Sequence, residues 1–107
     1  MEGNYLNIAV QFKSLLTDLY GNRLSKLILF GSYARVEARE DSDIDFLVVL
    51  KDKEISVFKE IEKINGRVYQ IILENGKLIS FLPVAENNYE NVPNYFYTLV
   101  KQEGKTI

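Results

Sequence analysis

The segment from Ser42 to Leu50 constrains the fold of this 107-residue chain more than any other. Its sequence, SDIDFLVVL, alternates with a period of two, which is typical of a β-strand because successive side chains of a strand point to opposite faces. One face carries Ile44, Phe46, Val48 and Leu50, and the other carries Asp43, Asp45, Leu47 and Val49. The pattern therefore predicts a sheet in which one strand opens with two carboxylates.

Apolar spacing before this strand predicts a helix and a second strand. Apolar residues recur at steps of three and four over residues 5–20, which is one buried helical stripe. Asn4 can cap the start of this helix, and Gly21 can end it. The run Leu27–Phe30 is too short for a helix and is stopped by Gly31, so it predicts a buried strand.

The turn after that strand and the segment after the second strand both show helical signals. Ser32 has the character of an N-cap for a short helix through Arg35. Three-residue apolar steps from Ile55 predict a longer helix that begins near Lys53 and ends near residues 75–76. The Asn65-Gly66 pair inside it is also typical of a hairpin turn, but the apolar spacing beyond it stays helical, so we expect one helix or a helix broken at this pair.

The last third of the chain predicts one more strand and one more helix. The strand spans residues 78–84, and Pro83 places it at a sheet edge or a strand end. Pro93 suits the first turn of a final helix. The apolar residues of that helix are Phe96, Leu99 and Val100.

Composition excludes several kinds of chemistry. The chain has 13 basic and 15 acidic residues, a formal net charge of −2, and neither histidine nor cysteine. Disulfide frameworks, thiolate or imidazole zinc sites, Ser-His-Asp triads and histidine general bases are therefore excluded. Chemistry must rely on carboxylates, hydroxyls, Lys, Arg or a hard cation.

Charge and length bound the setting. The near-neutral balance argues against direct nucleic-acid binding, which usually needs a basic surface. No stretch approaches the roughly 18 apolar residues of a membrane span, and the chain opens with Glu2 and no basic segment, so we expect a cytoplasmic protein. We expect residues 1–107 to form a single domain.

The residues best suited to chemistry lie between the two central strands. Gly31 lets a phosphate approach the backbone closely, and Ser32 adds a hydroxyl beside backbone amides that can face an anion. Asp43 and Asp45, two residues apart on a strand, project from one face, so their carboxylates can converge on a hard cation such as Mg²⁺. Each pair alone is more often a plain turn or a solvated strand end. Their combination at this spacing arises by chance in roughly one chain of this length in several hundred.

This arrangement of Gly-Ser, ten residues and Asp-x-Asp resembles the signature of the polymerase-β-like nucleotidyltransferase superfamily, in particular its small MNT-type members. Gly31, Ser32, Asp43 and Asp45 match the four positions of that signature. The segment LISFLPV and the closing Gln102-Glu103-Gly104 are similar to the same group. The resemblance implies an α+β nucleotidyltransferase fold, in which a small mixed sheet of about three strands is flanked by helices, and a single nucleotidyltransferase domain over residues 1–107.

The resemblance also implies a function. Asp43 and Asp45 would be the catalytic, Mg²⁺-binding residues, and Gly31 and Ser32 would bind the phosphates of a nucleoside triphosphate, most simply ATP. Arg35 could add a phosphate contact, or it could be a solvated arginine that pairs with Glu37 or Glu40. Small MNT proteins act as antitoxins of HEPN-domain toxins, either by transferring AMP to a hydroxyl of the partner or by binding it. A homo- or hetero-oligomer is expected, because 107 residues leave little room for a separate acceptor-binding domain.

Two departures from the family pattern bear on activity. Val36 stands where the family usually has glycine, and its β-branched side chain resists a positive φ, so we expect the loop from Val36 to Asp41 to take another path. Active relatives also commonly carry a third acid on the following strand. Here that strand has Ser80, and Glu74 and Glu86 only flank it, which leaves open a non-catalytic binding module.

Two further interpretations stay open on the residues alone. Asp-x-Asp also serves nucleotide-sugar glycosyltransferases, but those domains are longer and do not explain the Gly-Ser spacing. Aromatic residues cluster near the C-terminus and suit either base stacking or packing, with packing the commoner role of such spacing. They are Tyr89, Tyr95, Phe96 and Tyr97.

Overall fold

The two central strands lie side by side in the structure, a computed structural model that describes residues 2–39 and 41–107, with side chains from Tyr5 onward. Strand β1 spans Leu24–Phe30 and strand β2 spans Ile44–Leu50. They are antiparallel, with Phe30 opposite Asp45. Both predicted strands are confirmed, and β1 begins three residues earlier than its apolar run.

Two more strands complete a mixed sheet. Strand β3 spans Ile79–Ala85 and runs parallel to β2, whereas β4 spans Lys105–Thr106 and is antiparallel to β1. The strand order is β3-β2-β1-β4, so the predicted edge position of β3 is confirmed. The sheet has four strands instead of about three, because β4 is a pair of exposed residues too short to show an alternating pattern.

Two long helices flank the strands as expected and end where predicted, but both begin at residues other than the predicted ones. Helix α1 spans Glu2–Tyr20, so the cap predicted at Asn4 is wrong in position, and the side chain of Asn4 lies outside the described part of the chain. A short 3-10 helix, Gly21–Arg23, follows directly. Helix α2 spans Val57–Asn75, starts after Ser56 instead of near Lys53, and ends where Gly76 takes φ +67°. It runs unbroken through residues 65–66, which excludes the hairpin.

The segment after β3 forms two short helices, of which one was predicted. Helix α3 spans Glu86–Asn91 and helix α4 spans Tyr95–Glu103. The side chain of Asn94 caps α4 by accepting a hydrogen bond from the backbone N–H of Tyr97 at 3.1 Å. Pro93 therefore lies before the cap and not in the first turn.

The alternation of β2 sorts the core into two layers, one on each face of the sheet. Helices α1 and α2 pack on the face of Ile44, Phe46 and Val48. The other face carries Leu47 and Val49, and residues of α3 and α4 cover it. Asp45 belongs to this second face by the strand period. Over the described ranges no helix is long and apolar enough to span a bilayer.

Candidate active site

The two carboxylates lie where β2 begins. Asp43 directly precedes the strand and is exposed, whereas Asp45 is its second residue and is half-buried. The backbone N–H of Ile44, between them, donates to the carbonyl oxygen of Leu78 at 3.0 Å, which joins this strand end to the segment leading into β3. Ser80 of β3 is in register with Asp45, and its hydroxyl donates to Oδ2 of Asp43 at 3.3 Å.

The electrostatics of the pair suit a bound cation. Burial raises the pKa of Asp45 above its ordinary value, the nearby charge of Asp43 raises it further, and Arg35 opposes both effects. Two close carboxylates, one of them half-buried, repel each other when ionised. Oxygen donors of this kind are the ligands that Mg²⁺ prefers, so the residues present fit a magnesium ion.

Gly31 brings the Gly-Ser turn against this pair. Its φ is +78°, a conformation that glycine adopts without strain. A Cβ at this position would overlap Oδ2 of Asp45 and lie 3.2 Å from its Cγ. The absence of a side chain at Gly31 therefore makes room for the Asp45 carboxylate, and the turn and the acid pair form one continuous site.

The chain after Gly31 forms a hydrogen-bonded turn, so the predicted short helix from Ser32 through Arg35 is wrong. The N–H of Arg35 donates to the carbonyl oxygen of Gly31 at 3.1 Å, and the N–H of Glu37 donates to that of Ser32 at 2.8 Å. A helix nucleus is costly, and a segment this short gains too few hydrogen bonds to repay it. Ser32 is half-buried at the start of the turn and directly follows Gly31.

Two side chains of the turn enter the core and fix its position. Tyr33 and Ala34 are both buried. The ring of Tyr33 packs against Tyr5 of α1 with centroids 5.2 Å apart. Both residues lie in the predicted short helix, and their role as anchors was not predicted; their apolar character was the available signal.

Val36 closes the turn in the left-handed region, at φ +59°. We expected its β-branched side chain to avoid a positive φ, but the structure places it there. The side chain is 75% exposed. Packing of the Val36 side chain therefore does not explain its positive φ. The hydrogen bonds of the surrounding turn hold the residue in this conformation.

Arg35 lies at the rim of the site in two ion pairs. Its Nε is 2.9 Å from Oε1 of Glu37, and its Nη1 is 3.4 Å from Oε2 of Glu103 at the end of α4. Its charge also lowers the pKa of Asp45, so the guanidinium lies close enough to act on the acid pair. The pairing with Glu37 was one of the two predicted roles of this arginine, and Glu103 is an additional partner; Glu40 lies outside the described residues.

The place beside the pair on β3 holds a hydroxyl, not a third acid. Ser80 occupies it, while the carboxylate of Glu86 accepts a hydrogen bond from Ser25 and that of Glu74 accepts one from Gln70 at 3.0 Å. Among the described residues, no group of three or more His, Cys, Asp or Glu side chains could hold a metal ion. Within the described ranges, the site therefore offers two carboxylates, those of Asp43 and Asp45.

A mixed sheet that joins a Gly-Ser turn to an Asp-x-Asp strand defines a nucleotidyltransferase domain, and comparison with known proteins agrees. Residues 10–96 match the nucleotidyltransferase domain family, so the chain belongs to that family. A Methanocaldococcus jannaschii protein named "putative protein adenylyltransferase" is 31% identical over 98 residues, which are 91% of this chain and 91% of that protein. A second protein of that name and organism is 39% identical over 59 residues, 55% of this chain and 58% of the relative.

Solved structures share the fold. A crystal structure of a "putative nucleotidyltransferase" from Sulfolobus solfataricus superposes with a TM-score of 0.70 at 22% identity, covering 98% of this chain and 80% of that chain. A chain of a toxin–antitoxin crystal structure with AMP-PNP superposes with a TM-score of 0.61 at 16% identity, covering 94% and 69%. The nucleotidyltransferase fold expected from the sequence is thus confirmed.

Proposed function

We propose that this nucleotidyltransferase domain transfers AMP from ATP to a hydroxyl group of a partner protein, in a reaction that depends on Mg²⁺. The observation that carries the proposal is the contact between Gly31 and Asp45, which joins a backbone turn suited to phosphate with carboxylates suited to a cation. The relatives named as protein adenylyltransferases support the choice of AMP and of a protein acceptor.

Each residue of the site has a role in this proposal. Asp43 and Asp45 hold Mg²⁺, which when bound would neutralise phosphate oxygens. Gly31 and Ser32 receive the β- and γ-phosphates, since the turn lets them approach the backbone. Arg35, now paired with two carboxylates, can exchange one of them for a phosphate oxygen, because both ion pairs are at the surface.

The transfer itself needs positioning more than covalent chemistry from the protein. The acceptor oxygen attacks the α-phosphorus and forms a new P–O bond. The bond from that phosphorus to the oxygen bridging the α- and β-phosphates breaks, and pyrophosphate leaves with its electron pair. The hydroxyl proton passes to water.

We further propose that the partner is a HEPN-domain toxin and that the chain acts as its antitoxin. The structural neighbour from a toxin–antitoxin complex with AMP-PNP supports both a partner and a nucleotide. The resemblance to small MNT proteins supports the HEPN class.

The test is label transfer. The purified full chain is incubated with a HEPN-domain partner, Mg²⁺ and ATP labelled at the α-phosphate. We expect label on the partner with the wild type and with Asp41→Ala, an exposed acid just upstream of the pair. Label must disappear with Asp43→Ala and with EDTA. Equal labelling by wild type and Asp43→Ala would contradict the proposal.

A second candidate function is a binding module that neutralises its partner without transfer. The hydroxyl of Ser80 in the place beside the acid pair favours it, since no third carboxylate stands on β3 to activate an acceptor. In that case Asp43→Ala and Asp45→Ala variants would still form the complex and neutralise the partner. Loss of neutralisation in both variants, with melting temperatures no lower than that of wild type, would exclude this candidate.

A further inference from the structure

The aromatic residues near the C-terminus, which suit either base stacking or packing, separate in the structure. Tyr89 is buried, and Tyr97 packs on it edge to face with ring centroids 5.7 Å apart. Tyr95 is 82% exposed. Phe96 packs on the end of β1: its ring meets that of Phe30 at 5.3 Å with the planes at 82°.

Phe30 places this aromatic pair beside the candidate active site. In the antiparallel pairing of β1 and β2 it stands directly opposite Asp45, and opposed residues carry their side chains on the same face. It also directly precedes Gly31, so the backbone that meets the Asp45 carboxylate is continuous with it. The aromatic pair therefore borders the acid pair on one side.

Leu82 extends the same apolar surface across the sheet. It lies two residues after Ser80 on β3, which puts both side chains on one face, and it is in register with Leu47. Phe30, Leu82 and Phe96 are all packed against the second core layer, and each keeps part of its surface exposed. We call these three residues the base wall.

We propose that the base wall receives the nucleobase of the nucleotide whose phosphates lie at the acid pair, and that the site therefore takes purine nucleoside triphosphates. This inference rests on the proposed function. A nucleoside triphosphate carries a flat, largely apolar base at the end remote from its phosphates, and the wall is the partly exposed apolar surface that borders the phosphate end on the same face. Stacking of a base on aromatic side chains changes affinity by about 5- to 150-fold.

The chemistry of the wall defines the substrate class. Its three side chains carry only carbon and hydrogen, so they discriminate by stacking area and not by hydrogen-bonding pattern. Adenine and guanine, with two fused rings, gain more than cytosine and uracil. The wall therefore separates purines from pyrimidines and does not separate ATP from GTP.

The first test uses the wild-type full chain and needs no variant. Calorimetry with Mg²⁺ compares ATP, GTP, CTP and ribose 5-triphosphate, which has the sugar and phosphates without a base. We expect ATP and GTP to bind with similar affinity, at least about fivefold more tightly than ribose 5-triphosphate, and CTP to fall between them. Equal affinity for ATP and CTP would overturn the inference.

The second test uses matched variants. Phe96→Leu should reduce the affinity ratio between ATP and ribose 5-triphosphate by about fivefold or more, and Phe96→Tyr, which keeps the ring, should retain that ratio. Phe81→Leu is the control: it makes the same change on β3, one residue from Ser80, but faces the other layer and packs on Phe12 at 5.8 Å. If Phe96→Leu changes the ratio no more than Phe81→Leu does, the base wall is wrong.

These measurements separate the two proposals. Ribose 5-triphosphate should bind only with Mg²⁺ and should lose its binding in Asp45→Ala. If it does not bind, or binds Asp45→Ala equally well, the proposed function fails. If it binds as expected while the base adds nothing, the proposed function stands and the base wall alone is refuted.

Discussion

At the scale of single residues, Gly31 links the conformation of the backbone to the chemistry of the site. Two separate requirements meet there: a φ of +78° and the space that the Asp45 carboxylate occupies. A side chain would violate both. This coupling explains why a Gly-Ser turn and an Asp-x-Asp strand belong together, although ten residues separate them in the sequence.

We predict that Gly31→Ala lowers the free energy of unfolding by about 2–5 kcal/mol, because a left-handed conformation and a steric overlap both add cost. Urea denaturation measures the change. Gly66→Ala is the matched control, since Gly66 lies within α2 and a Cβ there would meet nothing within 4 Å. That variant should be more stable than wild type by about 0.5–1 kcal/mol. Equal stability of the two variants would refute the steric argument.

The acid pair predicts a pH dependence of stability. Burial and the charge of Asp43 raise the pKa of Asp45 in the folded chain above its ordinary value of 3.8. Between pH 3.8 and this raised pKa, the folded chain therefore binds more protons than the unfolded chain. Stability of the metal-free protein therefore falls as pH rises through that window. Asp45→Asn should raise the melting temperature in EDTA at pH 7, and the gain should shrink as the pH approaches 3.8. A lower melting temperature for Asp45→Asn at pH 7 would contradict this.

At the scale of elements, the turn after β1 holds a conformation that its own sequence disfavours. Val36 takes φ +59° in the segment that connects the buried anchors Tyr33 and Ala34 to the exposed loop. A left-handed conformation costs an L-residue about 1–2 kcal/mol. The hydrogen bonds of the turn, from Arg35 to Gly31 and from Glu37 to Ser32, hold it against that cost.

Val36→Gly should therefore stabilise the protein by up to about 1 kcal/mol, the relief of strain less the entropy that glycine loses on folding. Chemical denaturation tests this. The same substitution at Val10, a residue of α1 that is 61% exposed, should instead destabilise the chain by about 0.5 kcal/mol, because glycine is a weaker helix former than valine. A loss of stability with Val36→Gly would show that the turn does not strain Val36.

The pairing of β2 with β3 predicts where a third carboxylate can be installed. Ser80 is in register with Asp45 and bonded to Asp43, so Ser80→Asp adds an acid beside the pair. We expect this variant to bind Mg²⁺ more tightly and, in EDTA, to melt at a lower temperature than wild type because of added like-charge repulsion. Ser80→Asn, similar in size but neutral, is the control for both effects. Unchanged Mg²⁺ affinity in Ser80→Asp would show that this position does not face the ion.

At the scale of the whole molecule, the site and a buried polar link lie at opposite ends of the sheet. The hydroxyl of Tyr20 donates to Oε1 of Glu60 at 2.7 Å, which joins the end of α1 to the first turn of α2. Glu60 is only 6% exposed, and Arg23 and Lys63 lie within 3.9 Å of its carboxylate. The polar link lies near Lys51, which directly follows β2 and donates its backbone N–H to the carbonyl oxygen of Arg23. The acid pair lies at the other end of β2, where the strand begins. The seven residues of this strand span about 20 Å.

Tyr20→Phe should thus lower stability without affecting the site. It leaves the buried carboxylate of Glu60 without one donor, which costs about 1–3 kcal/mol. Tyr69→Phe, on α2 and 62% exposed, should change stability by less than about 0.5 kcal/mol. Affinity for Mg²⁺-ATP should equal that of wild type in both variants. Weaker ATP binding by a folded Tyr20→Phe protein would show that the two ends are coupled.

Features that arise within one segment of the chain can be predicted from its local sequence pattern. The alternation of Ser42–Leu50 predicts the strand, its two faces and the placement of Asp45, and three- and four-residue spacing predicts the long helices, because these periods follow from backbone geometry within one segment. The Gly-Ser and Asp-x-Asp pairs predict the family for the same reason, since each acts through its own short stretch of backbone.

The neighbours of those residues follow from the packing of segments that are distant in the sequence. Strand register puts Phe30 on one side of Asp45 and Ser80 on the other, and the end of α4 brings Glu103 to Arg35 across a sequence distance of 68 residues. The turn that replaces the predicted short helix, and β4, likewise form against distant parts of the chain. Such neighbours depend on how separate segments pack, and no periodicity within one segment specifies its partner across the sheet.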